Sequence, residues 1–558
     1  MTGRQFLSLL SVIICLHLPA RESNTKAPIM GWASWNNFSV NITEPIIKRQ
    51  ADRMISSGLF KAGYKYINID DGFFNGRNAD GTLRVDSKKF PHGMKSLVEY
   101  IHSKGLKAGI YSDAGTYTCG SVYNSQAGGV GAGMYDHDQQ DVDLFFKTWN
   151  FDFLKVDYCS GKEQLLDERT RYTEIKNAII NTGKTDINYN VCRWQFPGTW
   201  VTSVANSWRI SEDINASWSS ILNIIDKNTW LAPYASQDHY NDMDMLEVGR
   251  GMTDEEDKSH FSMWCILSSP LILGNDLTAI DPHKLEILTN PEILAVNQDT
   301  TGLQGQLISD YGEDLQVWTK KLHGKQSKER VVALLNRSAN AATISVKWKD
   351  LNLLSIVSVR DLWKHTDLEK TDSIFTALIP SHGVVMLKVL GNKTNLQEVF
   401  EAEYAWINNF NLTQYSTIVP GQGKVVKDTI CSGHAKVTSL GNNADNYIEF
   451  RDIYANYPGH YYLTISYLSG DNRSATLSVN GKDTLLTNLN SGGIESISNI
   501  TYAVKLNKGV NTIRFSNALS KLPDFDKIQL NLNRETIVDK ASMLLKKIEK
   551  LFKPSKPE

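Results

Sequence analysis

The run Phe151-Asp152-Phe153-Leu154-Lys155-Val156-Asp157-Tyr158-Cys159 is a short, mostly apolar segment that stops on a lysine, an aspartate and a cysteine. Side chains alternate along a strand, so Lys155 and Asp157 share one side of it. At the mouth of a barrel this places a carboxylate beside a fixed cation, which favours the ionised form and suits a nucleophile. Taken alone, the same residues read equally as a buried ion pair that closes a strand. A second carboxylate lies in Trp208-Arg209-Ile210-Ser211-Glu212-Asp213, just past another apolar run. Apolar and aromatic neighbours are expected to bury Asp213 in part and raise its pKa, as proton donation requires. Glu212 is the adjacent rival, and its simpler reading is an exposed loop charge. Cleavage of a glycosidic bond needs two such carboxylates on opposite sides of a sugar, one to attack and one to protonate the leaving oxygen.

The elements that must hold these groups alternate. Strands are expected near residues 64–69, 106–111, 151–159, 186–192, 207–211 and 270–273. Helices are expected at 93–104, 141–149, 169–182 and 253–268. The alternation argues for a parallel sheet with crossover helices. About 270 residues, from 27 to 300, suit an α/β fold of the (β/α)8 barrel type, whose chemistry sits where strands end. A doubly wound sheet is the alternative, but no Gly-rich phosphate fingerprint follows the early strands. From 301 to 391 the helical pattern gives way to short strands, which predicts an antiparallel β-sandwich, with 391–396 as a linker. A second β-rich unit spans 400–533, with Asn480-Gly481 as a hairpin turn. Residues 534–558 read as a basic tail helix.

A chain of 558 residues exceeds one core. Its formal net charge of -2 argues against nucleic acid as the main partner. Residues 1–22 read as a signal peptide: Arg4 opens it, and an apolar run from Phe6 to Leu18 is too short to span a membrane. Export is therefore expected. The remaining cysteines, 119, 159, 192, 265 and 431, are odd in number, so one thiol at least stays free. Nothing has zinc spacing, and no cofactor is expected for catalysis. Asn37, Asn336 and Asn411 open N-x-Ser/Thr patterns compatible with secretion, and a glycan on Asn215 would crowd the pocket.

Five motifs, Met30-Gly31-Trp32-Ala33-Ser34-Trp35, Asn68-Ile69-Asp70-Asp71-Gly72, Gly109-Ile110-Tyr111-Ser112-Asp113, Lys155-Val156-Asp157-Tyr158-Cys159 and Asn241-Asp242-Met243-Asp244-Met245, come in the order seen in glycoside hydrolase family 27. The chain resembles that family over roughly residues 28–390. The resemblance implies a retaining α-galactosidase with Asp157 as nucleophile and Asp213 as acid/base, acting on galactose-containing oligosaccharides or polysaccharides. It implies that Asp70 and Asp71 hold the sugar's 6- and 4-hydroxyls, that Lys155 binds hydroxyls and tunes Asp157, and that Arg209 reaches the 2-hydroxyl side. Trp35 and Tyr111 would line the pocket, Asp244 its rim, and Cys119 and Cys159 would form a disulfide. The loop Cys192-Arg193-Trp194-Gln195-Phe196-Pro197 departs from the family's Cys-Glu-Trp and reverses a charge where tolerance at the 2-position is set. A glycine-rich loop at 126–138 is longer than the family's and reshapes the aglycone side. A β-L-arabinopyranosidase, an N-acetylgalactosaminidase, an α-glucosyl-cleaving enzyme and a non-catalytic sugar-binding protein are the alternatives.

The 400–533 unit resembles a carbohydrate-binding module of family 35, a jelly-roll β-sandwich. That resemblance implies a structural calcium on Glu401, Glu403 and Asp526, oxygen ligands that suit a hard cation. Tyr454, Tyr457 and Tyr461 are candidates for a stacking platform, with a core role as the plainer reading.

Overall fold

The computed structural model describes residues 27–312, 314–324, 327–394, 398–410 and 422–532. The signal-peptide, tail-helix and Asn411 readings lie outside these residues.

Eight parallel strands form one curved sheet: β1 (Met30–Ala33), β2 (Tyr66–Ile69), β3 (Lys107–Asp113), β4 (Phe153–Asp157), β5 (Asn188–Val191), β6 (Ser207–Arg209), β7 (Tyr240–Asp242) and β8 (Leu271–Leu273). Their spatial order is β8-β1-β2-β3-β4-β5-β6-β7. A bridge from Leu246, just beyond β7, to Leu273 closes the ring. The fold is thus a (β/α)8 barrel. β1 and β7 escaped prediction because each is four residues or fewer and reads as part of a polar motif. The expected helix over 141–149 is an α-helix at Asp138–Asp143 that widens into a π-turn at Leu144–Thr148. Helices Glu44–Ser56 and Trp218–Asn228 were also not anticipated.

Register does the positioning. Parallel pairing sets Tyr111 beside Lys155 and Asp113 beside Asp157. Asn68 faces Gly109. A Cβ on Gly109 would stand 2.0 Å from Asn68 Oδ1, so only glycine leaves that carbonyl room to point into the barrel.

Two antiparallel units follow. The first holds a six-stranded sheet from residues 306–394 and the pair Ala342–Lys347 with Ile374–Ile379. It grips the barrel through Lys320, whose buried Nζ donates to Ser268 Oγ (2.7 Å) and Val296 O (2.6 Å). The expected linker at 391–396 begins instead as strand: Val384–Thr394 continues, and Gly391 pairs with Ile356. The second unit is a sandwich of a six-stranded and a five-stranded sheet, closed by Phe450, Phe515 and Phe525. At its Asn480-Gly481 hairpin φ is 50° and 79°, as a two-residue turn demands. Among the described residues no helix is long and apolar enough to cross a membrane.

Asn336 is not a surface acceptor. It is wholly buried, its amide nitrogen donates to the carbonyls of Asn340, Ile379 and Pro380, and its Oδ1 accepts from Ser338 N (3.0 Å). Asn336→Ala strands these groups, each costing about 1–3 kcal/mol when buried without a partner. We expect a clearly lowered unfolding midpoint in thermal or urea denaturation; a wild-type midpoint would show that water replaces the amide.

Candidate active site

The C-terminal ends of the strands enclose a cavity of about 370 Å³ lined by Trp35, Lys155, Asp157, Trp194, Arg209, Asp213 and Asp244, among others. A smaller space of about 40 Å³ continues it into the barrel, past Asn68, Asp70, Tyr111 and Asn190. One cation sits on each side. Lys155 Nζ lies 3.0 Å from Asp70 Oδ2 and 3.7 Å from Asp157 Oδ1. Arg209 Nη2 lies 3.0 Å from Asp213 and 2.9 Å from Asp244. Asp244 also accepts from Ile214 N (2.9 Å), and its backbone is held at φ 72°, a strained position of the kind found at functional sites.

The Cys119–Cys159 bridge is present, with Cα atoms 5.3 Å apart. It ties the helix Cys119–Tyr123 to the end of β4, and Cys119 Sγ touches Asp157 Oδ2 at 3.1 Å. The Tyr111 hydroxyl accepts from Cys119 N (3.2 Å) and braces the same helix from beneath. Cys192, Cys265 and Cys431 are buried free thiols. Cys192 lies behind the cavity against Arg209, with Sγ to Nη1 at 3.8 Å.

Four expectations change. Asp157 is 5% exposed, and burial outweighs the pull of Lys155, pushing its carboxyl up to about 7. Asp213 has a side chain 56% exposed; what burial it has would raise it, but Arg209 and then Lys155 prevail and hold it below the ordinary carboxylate value. The resting proton therefore favours the expected nucleophile over the expected acid. Asp71 is fully buried, and its carboxylate is spent on the backbone N–H groups of Gly72 (2.7 Å) and Gly120 (2.6 Å), so it shapes the loop and not the cavity wall. Arg193 turns away from the cavity, pairing with Glu168 and lying over the Tyr158 ring at 5.5 Å. Its reversed charge is neutralised outside the pocket.

Glu212 reaches the cavity edge, but Lys227 claims its carboxylate. Asn36, Tyr123, Asn124 and Met245 also line the cavity and were missed as site residues. Asn36 adjoins one quoted motif and Met245 ends another; Tyr123 and Asn124 carry no sequence signal beyond their distance from Cys119. Three buried wall atoms, Asp157 Oδ1, Asn68 Oδ1 and Arg209 Nε, have no hydrogen-bond partner among the described residues. Such atoms fit a ligand rich in hydroxyls. Among the described residues one trio of potential metal ligands comes within 4.8 Å, Asp113, Cys119 and Cys159, and the disulfide takes both sulfurs out of it.

A closed β/α barrel with two carboxylates and two cations lining one cavity at its strand ends has the architecture of a glycoside hydrolase. The family profile described as Alpha galactosidase A matches residues 27–299, and that of the Alpha galactosidase C-terminal beta sandwich domain matches 312–389. Alpha-galactosidase 2 of Arabidopsis thaliana is 42% identical over 374 residues, which is 66% of this chain and 90% of that protein. Alpha-galactosidase of Coffea arabica is 42% identical over 64% of this chain and 91% of its own length. The crystal structure of alpha-galactosidase I from Mortierella vinacea superposes with a TM-score of 0.61 at 36% identity, covering 67% of this chain and 100% of that one. The chain belongs to the α-galactosidase family, glycoside hydrolase family 27.

The pKa of Asp157 yields a test. Below about pH 4 both folded and unfolded chains carry its proton. Between its ordinary 3.8 and about 7 the unfolded chain ionises first, so the residue costs stability as pH rises, fully above 7. Asp157→Asn removes that cost while Lys155 keeps Asp70. The melting temperature of the variant should exceed wild type by a margin that grows from pH 4 to pH 7. A margin that is constant or negative across this range would contradict the assignment.

Proposed function

We propose that the protein is a retaining exo-α-galactosidase that removes terminal α-linked galactose from oligosaccharides or polysaccharides. The observation that carries this is Asp157 and Asp213 on the wall of one cavity, the first beside Lys155 and the second paired with the buried Arg209. Asp157 attacks the anomeric carbon as Asp213 gives its proton to the leaving oxygen. The C–O bond to the aglycone breaks, a glycosyl ester on Asp157 forms, and water activated by Asp213 hydrolyses that ester with retention.

The resting protonation has to be inverted first. A sugar over Asp213 excludes water from its exposed face and raises its pKa. Hydroxyl donors reaching Asp157 lower that of the nucleophile. One proton then passes from the Asp157 side to Asp213 as the substrate seats. Asp70 and Lys155 accept and donate to the hydroxyls at the inner end of the cavity. Trp35 and Trp194 supply apolar walls, and Asp244 fixes Arg209. Asp71 acts one step back, by holding the Gly120 end of the helix that carries Cys119.

A panel of p-nitrophenyl glycosides tests the reading: α-galactoside, α-N-acetylgalactosaminide, β-L-arabinopyranoside and α-glucoside. We expect α-galactoside to be preferred, and Asp157→Ala to lose about 10⁴-fold or more in kcat, as removal of a covalent nucleophile does. Preference for another sugar would move the specificity assignment to the Trp194 wall. Absence of turnover with all four would sink the enzyme reading.

We further propose that the third unit is a family 35-like sugar-binding module with a structural Ca²⁺ on Glu401, Glu403 and Asp526, and that the protein is exported, where its disulfide persists. Glu403 is 1% exposed, and neither of its oxygens has a hydrogen-bond partner among the described residues. Burial, then Glu401, pushes its carboxyl well up. Glu401 and Asp526 both accept from Ser432 Oγ, at 2.6 and 2.9 Å, so the carboxylates surround that serine and a cation would draw them inward. Of the tyrosines, Tyr457 is 52% exposed, whereas Tyr461 is half-buried and donates to Tyr457 O. Calcium should raise the melting temperature of wild type and not of Glu403→Gln; equal responses to calcium and chelator in both would remove the metal.

A further inference from the structure

The loop from residue 192 to 206, between β5 and β6, faces two ways. Its inner end brings Trp194 to the wall of the cavity that Asp213 also lines. Trp194 sits at φ 58°, a left-handed backbone position that is costly for a bulky residue and persists only where the surroundings enforce it. On the barrel side, Tyr172 donates to Cys192 O (3.1 Å) and stacks on Trp200, whose Nε1 donates to Pro197 O (2.9 Å). These contacts hold the base of the loop.

Its outer arc rests on the C-terminal sandwich. Phe196, 4% exposed, packs on Tyr234 at 5.0 Å and on Phe410 at 6.1 Å between ring centroids. Phe410 stacks on Tyr234 at 5.4 Å, and Trp406 meets Tyr234 edge-on at 5.0 Å. Two hydrogen bonds pin the same seam: Thr199 Oγ1 to Asn408 O (2.7 Å) and Tyr234 OH to Ile407 O (3.2 Å). Three buried rings with the half-buried Trp406 and two bonds to backbone make a fixed joint between units and not a flexible tether. One residue, Gln195, separates Phe196 from Trp194, so a shift at the seam is felt at the pocket wall.

We propose that the C-terminal sandwich is a structural part of the sugar pocket, with Phe410 and Phe196 as positioning residues that hold Trp194 against the substrate. This rests on the proposed galactosidase reading. The sandwich thereby contributes to catalysis whether or not it binds sugar itself.

The test uses the full chain with Phe410→Ala, Phe410→Leu and Thr199→Val. Losing one wall of a binding pocket weakens ground and transition states alike, so KM and the inhibition constant for galactose should both rise about tenfold in Phe410→Ala with kcat little changed. Phe410→Leu should recover most of the loss, and Thr199→Val should show a smaller rise in the same direction. Amide hydrogen exchange over residues 192–203 should quicken in Phe410→Ala, a readout independent of turnover and usable if the variant is marginally stable. Unchanged KM, galactose affinity and exchange in a folded Phe410→Ala protein would overturn the proposal. The wild-type panel decides the galactosidase reading separately, because that reading fails in wild type and this one fails only in the ratio of variant to wild type.

Discussion

The molecule is organised around an imbalance of charge. Asp70, Asp157, Asp213 and Asp244 share the cavity region with two cations, Lys155 and Arg209. Burial pushes the carboxyls of Asp157 and Asp244 up, to about 7 and about 6, against the pull of Lys155 and Arg209, and neighbouring carboxylates add to the rise. An anion-rich pocket with fixed dipoles is pre-organised for a transition state that develops positive charge at a sugar ring. It also explains why so much of the barrel is devoted to bracing. The disulfide, the Tyr111 hydroxyl and the Asp71 carboxylate all converge on one short helix beside Asp157. Each fixes geometry that mutual repulsion among the acids would otherwise loosen.

The barrel and the two carboxylates at its strand ends were legible because they are written locally. Strands β2 to β6 and β8 announce themselves as apolar runs that end on polar residues, and Asp157 and Asp213 stand at two of those ends. What stayed illegible depends on contacts far apart in sequence. Asp71 looks identical in kind to Asp70, and only the fold shows that Gly72 and Gly120 consume it. Arg193 reads as a charge reversal at the pocket until Glu168, 25 residues earlier, is seen to neutralise it. At Asp157 and Asp213 the pKa directions run opposite to those expected from the sequence. A neighbouring lysine is visible in sequence, whereas the depth of burial that opposes it is not, and nor is the open face of Asp213. Strands Lys482–Leu489 and Gly493–Leu506 were missed because most of their residues are exposed and polar, with few buried apolar positions to mark a face.

The three units are not beads on a string. Lys320 enters the barrel's packing from the first β-unit, and the ring cluster of Phe196, Tyr234, Trp406 and Phe410 joins the barrel to the second. The family profiles end at residue 389, so Trp406 and Phe410 lie beyond them, whereas Phe196 and Tyr234 lie within the barrel match.

The buried Asn336 has a consequence for where this protein can be made. A secretory pathway that attaches glycans reads Asn-Arg-Ser on the chain as it emerges, before any fold hides it. Inside the finished sandwich that side chain has no room for a sugar and no spare hydrogen bond. Yield in such a host becomes a race between the packing of Asn336 against Ile379 and Pro380, more than 40 residues further on, and an enzyme that recognises three residues. The outcome is governed by folding speed and not by the stability of the finished molecule.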